Sequence, residues 1–254
     1  MLTRRQMLAT GAAAAGGPVF LPFAAAAAAH SGDMFETGSG QITVFPVSHA
    51  SFVMKTPEMV IYCDPVGGAE AYADYPAPGL ILITHEHGDH YDVPTLEGLV
   101  QDGTQLITNP AVHDMLPDAL KARATAMANG DSGSVGAMRI DAIPAYNITE
   151  GRLKYHPQGR DNGYILGIDG FRVYIAGDTE GTPEMRAVEN IDLAFVPMNL
   201  PYTMDVDQAA DAVADFAPRY VYPYHYRGND PAEFARLLGE TGATTEVKLG
   251  PWYS

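Results

Sequence analysis

Cysteine is nearly absent from this 254-residue chain, Cys63 being the only one. That excludes an intrachain disulfide framework and any cysteine-rich zinc site. Its setting, Val60-Ile61-Tyr62-Cys63-Asp64-Pro65, reads as a buried strand end, where a thiol serves as a small hydrophobe. Basic residues are scarce too: 15 Lys and Arg against 31 Asp and Glu give a net charge of −16 at pH 7. So acidic a surface repels phosphate backbones and anionic lipid faces, so neither nucleic acid nor a charged membrane surface is an expected partner. Long, strongly apolar runs are also missing. Past Ala29 there is no tandem repeat and no low-complexity tract. What remains suffices for a packed core: 46% of residues are hydrophobic, with 26 Gly and 19 Pro, a composition unlike collagenous, coiled-coil or disordered chains.

The first 29 residues differ from the rest. Arg4 and Arg5 are their only charges, and an alanine-rich stretch broken by Pro18, Pro22 and several glycines follows. Alanine is only weakly apolar, so this stretch makes a poor permanent membrane anchor. A basic start, a mild apolar middle and small residues at 24–29 describe a removable export signal. The paired arginines of Thr3-Arg4-Arg5-Gln6-Met7-Leu8 resemble the twin-arginine type. The expectation is therefore a signal at 1–29, a single domain at 30–254 and a periplasmic location.

After His30 come short β-rich runs separated by turn residues. Strands are expected at 41–47, 51–55, 60–63, 80–84, 105–108, 138–143, 163–168, 171–176, 193–197 and 220–223. The unbroken run Leu80-Ile81-Leu82-Ile83-Thr84 fits a strand covered on both faces, and Asp169-Gly170 fits a tight hairpin turn. Apolar stripes predict helices at 205–216 and 229–241, with weaker signals at 94–100 and 111–127. Strands cluster, and helices follow them in each half. This order favours an α/β fold of the αββα type, two mixed β-sheets sandwiched between helices, over a doubly wound parallel sheet.

One block carries the chemistry. In Thr84-His85-Glu86-His87-Gly88-Asp89-His90, four ligand-type side chains fall within six residues, directly past the buried strand. Imidazole and carboxylate suit zinc or another first-row divalent ion. The i, i+2 spacing lets His85 and His87 project the same way from extended backbone. Gly88 is expected to permit a sharp turn that returns Asp89 and His90 to the same cavity.

This block resembles the metal-binding motif of the metallo-β-lactamase superfamily, and the likeness extends over about residues 41–250. Asp64 in Tyr62-Cys63-Asp64-Pro65 resembles the acid that supports the site from behind. Asp178 in Ala176-Gly177-Asp178-Thr179 resembles the carboxylate that bridges two metals, and His225 in Pro223-Tyr224-His225-Tyr226 resembles the last histidine ligand. Local details look most like the branch containing the ascorbate-6-phosphate lactonase. The resemblance implies one metal on His85 and His87 and a second on Asp89, His90 and His225, with Asp178 between them. It implies one or two divalent ions as cofactors, zinc first, with manganese and iron as alternatives. Where the family usually supplies a third histidine for the first metal, this chain has Asn147, a poor zinc donor. The nearest imidazole is His156, which either folds back to complete that site or leaves it weak.

The implied reaction is hydrolysis by a water whose pKa the metal lowers to about 7. Asp89 is the expected catalytic carboxylate. The substrate is expected to be a small ester, lactone or phosphoester, with an anionic group suggested by the local excess of Arg152, Lys154 and Arg160 around His156 and by Arg227 beyond His225. Arg160, Arg227 and His49 are assigned either to substrate contact or to support of the ligands. An iron-dependent oxidoreductase of the same fold and a non-catalytic exported metal-binding protein are the alternatives. The flavodiiron pattern usually has Glu where this chain has His87.

Replacing Arg4 and Arg5 together by lysine is expected to hold the precursor in the cytoplasm. Cell fractionation checks this, and unchanged periplasmic delivery would remove the twin-arginine reading.

Overall fold

The computed structural model describes residues 32–253. The expected export signal at 1–29 lies outside them. Two seven-stranded sheets are each built from strands in sequence order. The first contains β1 (Asp33–Glu36), β2 (Gln41–Ser48), β3 (Ser51–Lys55), β4 (Val60–Cys63), β5 (Leu80–Ile83), β6 (Gln105–Thr108) and β7 (Ala124–Ala126). The second contains β8 (Ser132–Val135), β9 (Met138–Ala145), β10 (Asp161–Ile168), β11 (Phe171–Ile175), β12 (Leu193–Pro197), β13 (Tyr220–Tyr224) and β14 (Glu246–Val247). Both sheets start antiparallel and end parallel, changing at β4–β5 and at β11–β12. The parallel portions need crossovers, and the helices lie there.

Helix α1 (Val93–Leu99) follows β5, and α2 (Pro110–Met115) and α3 (Asp118–Lys121) follow β6. In the second half, α4 (Pro183–Arg186) follows β11, α5 (Val206–Phe216) follows β12 and α6 (Pro231–Glu240) follows β13. Asp92, Asn109, Thr182, Asp205 and Asp230 cap helix N-termini with side-chain oxygens, and Asp205 and Gln208 form a reciprocal capping box. The single helix expected over 111–127 is instead α2, α3 and the strand β7. Pro117 has no N–H to extend α2, and the segment after Ala122 pairs with β6.

Strand alternation builds three apolar layers. Phe52, Met54, Leu80 and Leu82 face the interior between the sheets, together with Leu166, Val173, Phe195 and Tyr222. Val53, Ile81 and Ile83 face the opposite way, against Leu96 and Leu99 of α1 and Val112 of α2. On the far side Tyr174, Ala194 and Val196 meet Ala209, Val213 and Phe216 of α5 and Phe234 and Leu238 of α6. A strand covered on both faces has no polar alternation, which explains the unbroken apolar run at β5. The Asp169-Gly170 turn is a two-residue hairpin with φ of 50° and 81°, pairing Ile168 with Phe171. Cys63 is buried and free, and burial pushes its thiol pKa up, consistent with an inert packing role. Among the described residues no helix is long and apolar enough to cross a membrane.

Phe195 lies between Phe52 and Tyr222, with ring centroids 4.1 and 5.2 Å away and nearly parallel planes. Phe195→Ala is therefore expected to destabilise the domain by about 3–5 kcal/mol. Denaturant unfolding measures it, and a loss below about 1 kcal/mol would mean the sheets can close over the gap.

Candidate metal centre

The chemistry-bearing residues sit on the segments that leave the strands. The strand β4 delivers Asp64, β5 delivers Thr84 to His90, β11 delivers Asp178 through Gly177, and β13 delivers His225. The turn between β2 and β3 presents His49. Hydrogen bonds join the two sheets here: the Asn162 N–H donates to the Thr84 carbonyl at 3.1 Å and the His225 N–H donates to the His49 carbonyl at 3.0 Å. Gly177 has φ of 66°, and a Cβ there would meet the Asn162 carbonyl at 2.6 Å, so only glycine permits this approach to Asp178. Gly88 differs from expectation. Its φ is not positive, a Cβ there would meet open space, and the return of His90 comes from a helical turn in which the N–H groups of His90 and Tyr91 donate to the His87 carbonyl.

Asp178 occupies the centre. Its carboxylate, only 3% exposed, lies 3.4 Å from His90 Nε2, 3.4 Å from His156 Nε2, 3.3 Å from His225 Nε2 and 3.9 Å from His85 Nε2. His225 Nε2 also lies 3.4 Å from Asp89 Oδ2, and His85 Nε2 lies 3.1 Å from His87 Nδ1. Three sets of ligand atoms cluster within 4.8 Å: His85, His87 and His156; His85, His90 and Asp178; and His49, Asp89 and His225.

The donor set fits divalent ions. His90 Nε2, His156 Nε2, His225 Nε2 and Asp178 Oδ1 are buried without a hydrogen-bond partner, although they face one another. Orphaned buried polar atoms are costly and call for a partner. Donors bound tetrahedrally at about 2.0–2.1 Å stand about 3.3–3.4 Å apart. Three of the four separations around Asp178 match that spacing, and the angles there are wrong for hydrogen bonds. His85, His87 and His156 would hold one ion and Asp89, His90 and His225 a second, with Asp178 facing both.

His156 thus folds back into the cluster. It is fully buried, and its Nδ1 lies 2.9 Å from Asp161 Oδ2. Asn147 does not join it: its amide N–H groups donate to the carbonyls of Arg152 and Tyr202 at 3.1 and 2.7 Å. Behind His90, Asp64 Oδ2 lies 2.8 Å from Nδ1, and the Thr84 amide and hydroxyl donate to the same carboxylate. Such partners fix the tautomer and direction of a ligating imidazole.

Arg160 is not available to an outside anion. Its guanidinium donates twice to Asp161, at 2.6 and 2.9 Å, once to the Tyr155 carbonyl, and pairs with Glu86 at 2.7 Å. It braces the carboxylate that aims His156. Arg152 is likewise engaged, with buried Glu180 at 2.9 Å. Arg227 differs: it is exposed, lines the cleft beside Tyr253, and among the described residues its guanidinium forms no ion pair with a carboxylate. The cleft encloses about 550 Å³ and joins His87, Asp89, Asp178 and His225 to His49, Arg227, Asn199 and the edge-on aromatic pair Tyr155 and Tyr202.

Protonation states follow from these neighbours. Burial opposes charge on His90, but Asp178 and Asp64 outweigh it and push the pKa up to about 9. Burial likewise opposes charge on His156, but Asp161 and Asp178 push it up to about 9. Burial and neighbouring imidazoles pull His85 and His87 down, toward the neutral form that ligates. Burial would raise Asp178, yet the surrounding imidazoles hold it well below the usual carboxylate range. Burial would also raise Asp89, half exposed at the cleft, but the adjacent His225 imidazole and the hydrogen bond with His49 hold it far below that range.

Asp161 and the C-terminal Tyr253, whose hydroxyl lies 2.5 Å from His49 Nδ1, were not legible as site residues. Asp161 stands just ahead of the strand expected at 163–168 and Tyr253 far from every motif, so only their folded neighbours reveal them.

A mixed-sheet sandwich with a histidine–carboxylate cluster at its strand ends defines a class of metalloproteins. A family model described as a beta-lactamase superfamily domain matches residues 43–225, and the chain belongs to the metallo-β-lactamase superfamily. It is similar to a UPF0173 metal-dependent hydrolase of Pyrococcus furiosus, 30% identical over 220 residues that cover 80% of this chain and 95% of the relative. A solved structure from Parabacteroides distasonis, described as a metal-dependent hydrolase, shares 41% identity with a TM-score of 0.80 and covers 87% of this chain and 99% of that one. The metallo hydrolase Igni18 of Ignicoccus hospitalis shares the fold at 24% identity and a TM-score of 0.69, covering 82% of this chain and 94% of its own.

Because His90 and His156 keep protons up to about 9 in the metal-free protein, an ion must displace them at pH 7. Zinc uptake is expected to release protons, with affinity rising by about tenfold per pH unit per displaced proton between pH 7 and 9. Calorimetry in buffers of different ionisation enthalpy checks this. A heat independent of buffer would show both imidazoles already neutral.

Proposed function

We propose that this metal-dependent hydrolase cleaves a small ester, lactone or phosphoester carrying an anionic group. The observation that carries the reading is Asp178, facing four imidazoles at the base of a cleft in which Arg227 is a cation not neutralised by a carboxylate. Divalent ions, zinc by preference for this imidazole and carboxylate set, supply a water of lowered pKa and a Lewis acid when bound.

The chain's own residues do the rest. Asp89 reaches the cleft as an ionised carboxylate held by His49 and His225. From there it orients the attacking water by accepting its hydrogen bond. Water adds to the acyl or phosphoryl centre, the bond to the leaving oxygen breaks, and the proton lost from water ends on that oxygen. Arg227 attracts the substrate's charged end, locally reversing a field that is otherwise strongly negative. Tyr155 and Tyr202 offer their ring faces and edges to an apolar or planar portion. The Arg4-Arg5 segment supports the periplasm as the place of action.

Asp89→Ala is expected to lower kcat/KM by orders of magnitude while the fold survives, because the core rests on apolar strands. Arg227→Ala should raise KM for a carboxylated or phosphorylated substrate far more than for a matched neutral one. Arg160→Ala should harm both alike, since it acts through Asp161 and His156. Steady-state kinetics on such a substrate pair decide the matter: equal losses for Arg227→Ala remove the anion site, and an unchanged rate in Asp89→Ala removes the hydrolytic mechanism.

A further inference from the structure

Residues 248–253 cross the outer end of the metal cluster. The Lys248 N–H donates to the Val221 carbonyl at 2.8 Å, continuing the edge of the second sheet. Trp252, 1% exposed, inserts edge-on among Phe52, Phe195, Tyr222 and Tyr224. Its carbonyl accepts the His49 N–H at 3.1 Å. With the segment anchored this way, the Tyr253 hydroxyl comes to 2.5 Å from His49 Nδ1. On the other side of the ring, Nε2 lies 3.1 Å from Asp89 Oδ2. The ring itself packs on His225, centroids 3.8 Å apart.

For a neutral His49 ring the donors and acceptors in this row admit one assignment. An ionised carboxylate only accepts, so Nε2 must carry the proton that meets Asp89. A neutral imidazole has one N–H, so Nδ1 is then an acceptor and the phenol must donate to it. His49 adopts a left-handed backbone with φ of 52°, a conformation that persists in a non-glycine residue only where its surroundings over-determine it.

We propose that Tyr253 is a positioning residue that fixes His49 in its Nε2–H tautomer and thereby holds the Asp89 carboxylate in the orientation the metal centre uses. Tyr253 does not touch the cluster; it acts through His49. Without its hydroxyl the ring can exchange tautomers, and in the Nδ1–H form an Nε2 lone pair faces the Asp89 oxygen and repels it. Asp89 then turns away from His225. The tautomer assignment rests on the two distances and a neutral ring, and its kinetic consequence rests on the hydrolytic reading of Asp89.

The test uses the full chain with ¹⁵N-labelled histidine, metal-free and zinc-loaded, as wild type and as Tyr253→Phe, with His49→Gln to assign the His49 signals. Tyr253→Phe keeps the ring and leaves Trp252 in place, and circular dichroism confirms the fold. Wild type should show a protonated Nε2 and an unprotonated Nδ1 at His49. Tyr253→Phe should show a mixture of tautomers, a fall in zinc affinity of about 10–100-fold for one ion, and a lower kcat with KM little changed. Wild-type His49 in the Nδ1–H form would overturn the proposal. So would a Tyr253→Phe protein with the wild-type tautomer, whatever its rate, because Tyr253 would then be a packing residue. Loss of the hydrolytic reading is recognised separately, by an unchanged rate in Asp89→Ala alongside the expected tautomer signals.

Discussion

A carboxylate buried among imidazoles is the constraint on which the rest of this structure depends. Asp178 is almost wholly removed from water yet stays ionised, which an apolar interior permits only when positive charge or metal surrounds it. His85, His90, His156 and His225 provide that surround, and their orientation is itself imposed from outside. Asp64 and Thr84 hold His90, Asp161 and Arg160 hold His156, and Asp89 lies against His225. The Nδ1 atoms of His90 and His156 are held from behind in this way, while their Nε2 atoms and both nitrogens of His225 are left for the cluster itself. The cluster is therefore rigid because its supports are, a requirement for donors that must hold tenths of an ångström.

The sheets supply the geometry. Chain segments leave neighbouring strands at this edge, so residues more than a hundred positions apart arrive together. The exits are sharp: His49, Asp64 and His225 all have positive φ, at 52°, 44° and 48°. Non-glycine residues pay roughly 1 kcal/mol or more for such backbone, and here each is fixed by contacts on both sides of the chain. Packing energy from three apolar layers offsets that strain, which places the cost of function on the core.

Two arginines show how little residue type says about role. Arg160 and Arg227 both lie close in sequence to a cluster histidine in a strongly acidic chain. Arg160 follows a turn that brings it onto Asp161 and Glu86, so its charge is consumed inside the protein. Arg227 lies past the left-handed exit at His225 and opens to the cleft. One stabilises a ligand and the other remains able to meet a substrate.

The sequence by itself determined the αββα sandwich and most of the cluster. Apolar alternation and the run at 80–84 report which faces a strand buries, and those are local signals. His85, His87, Asp89 and His90 were legible because they crowd into six residues beside a strand, and Asp64, Asp178 and His225 because each lies just past one. The short edge strands β1, β7, β8 and β14 were not, since they bury few side chains and owe their form to pairing. Only the tertiary structure decided between His156 and Asn147: both lie in one loop, and the choice depends on the ion pair of Arg152 with Glu180 and the clamp of Arg160 on Asp161. It alone brought Tyr253 to His49 across 204 positions of sequence. A local pattern records which groups a segment carries, whereas which of them meet depends on contacts between segments that no single stretch encodes.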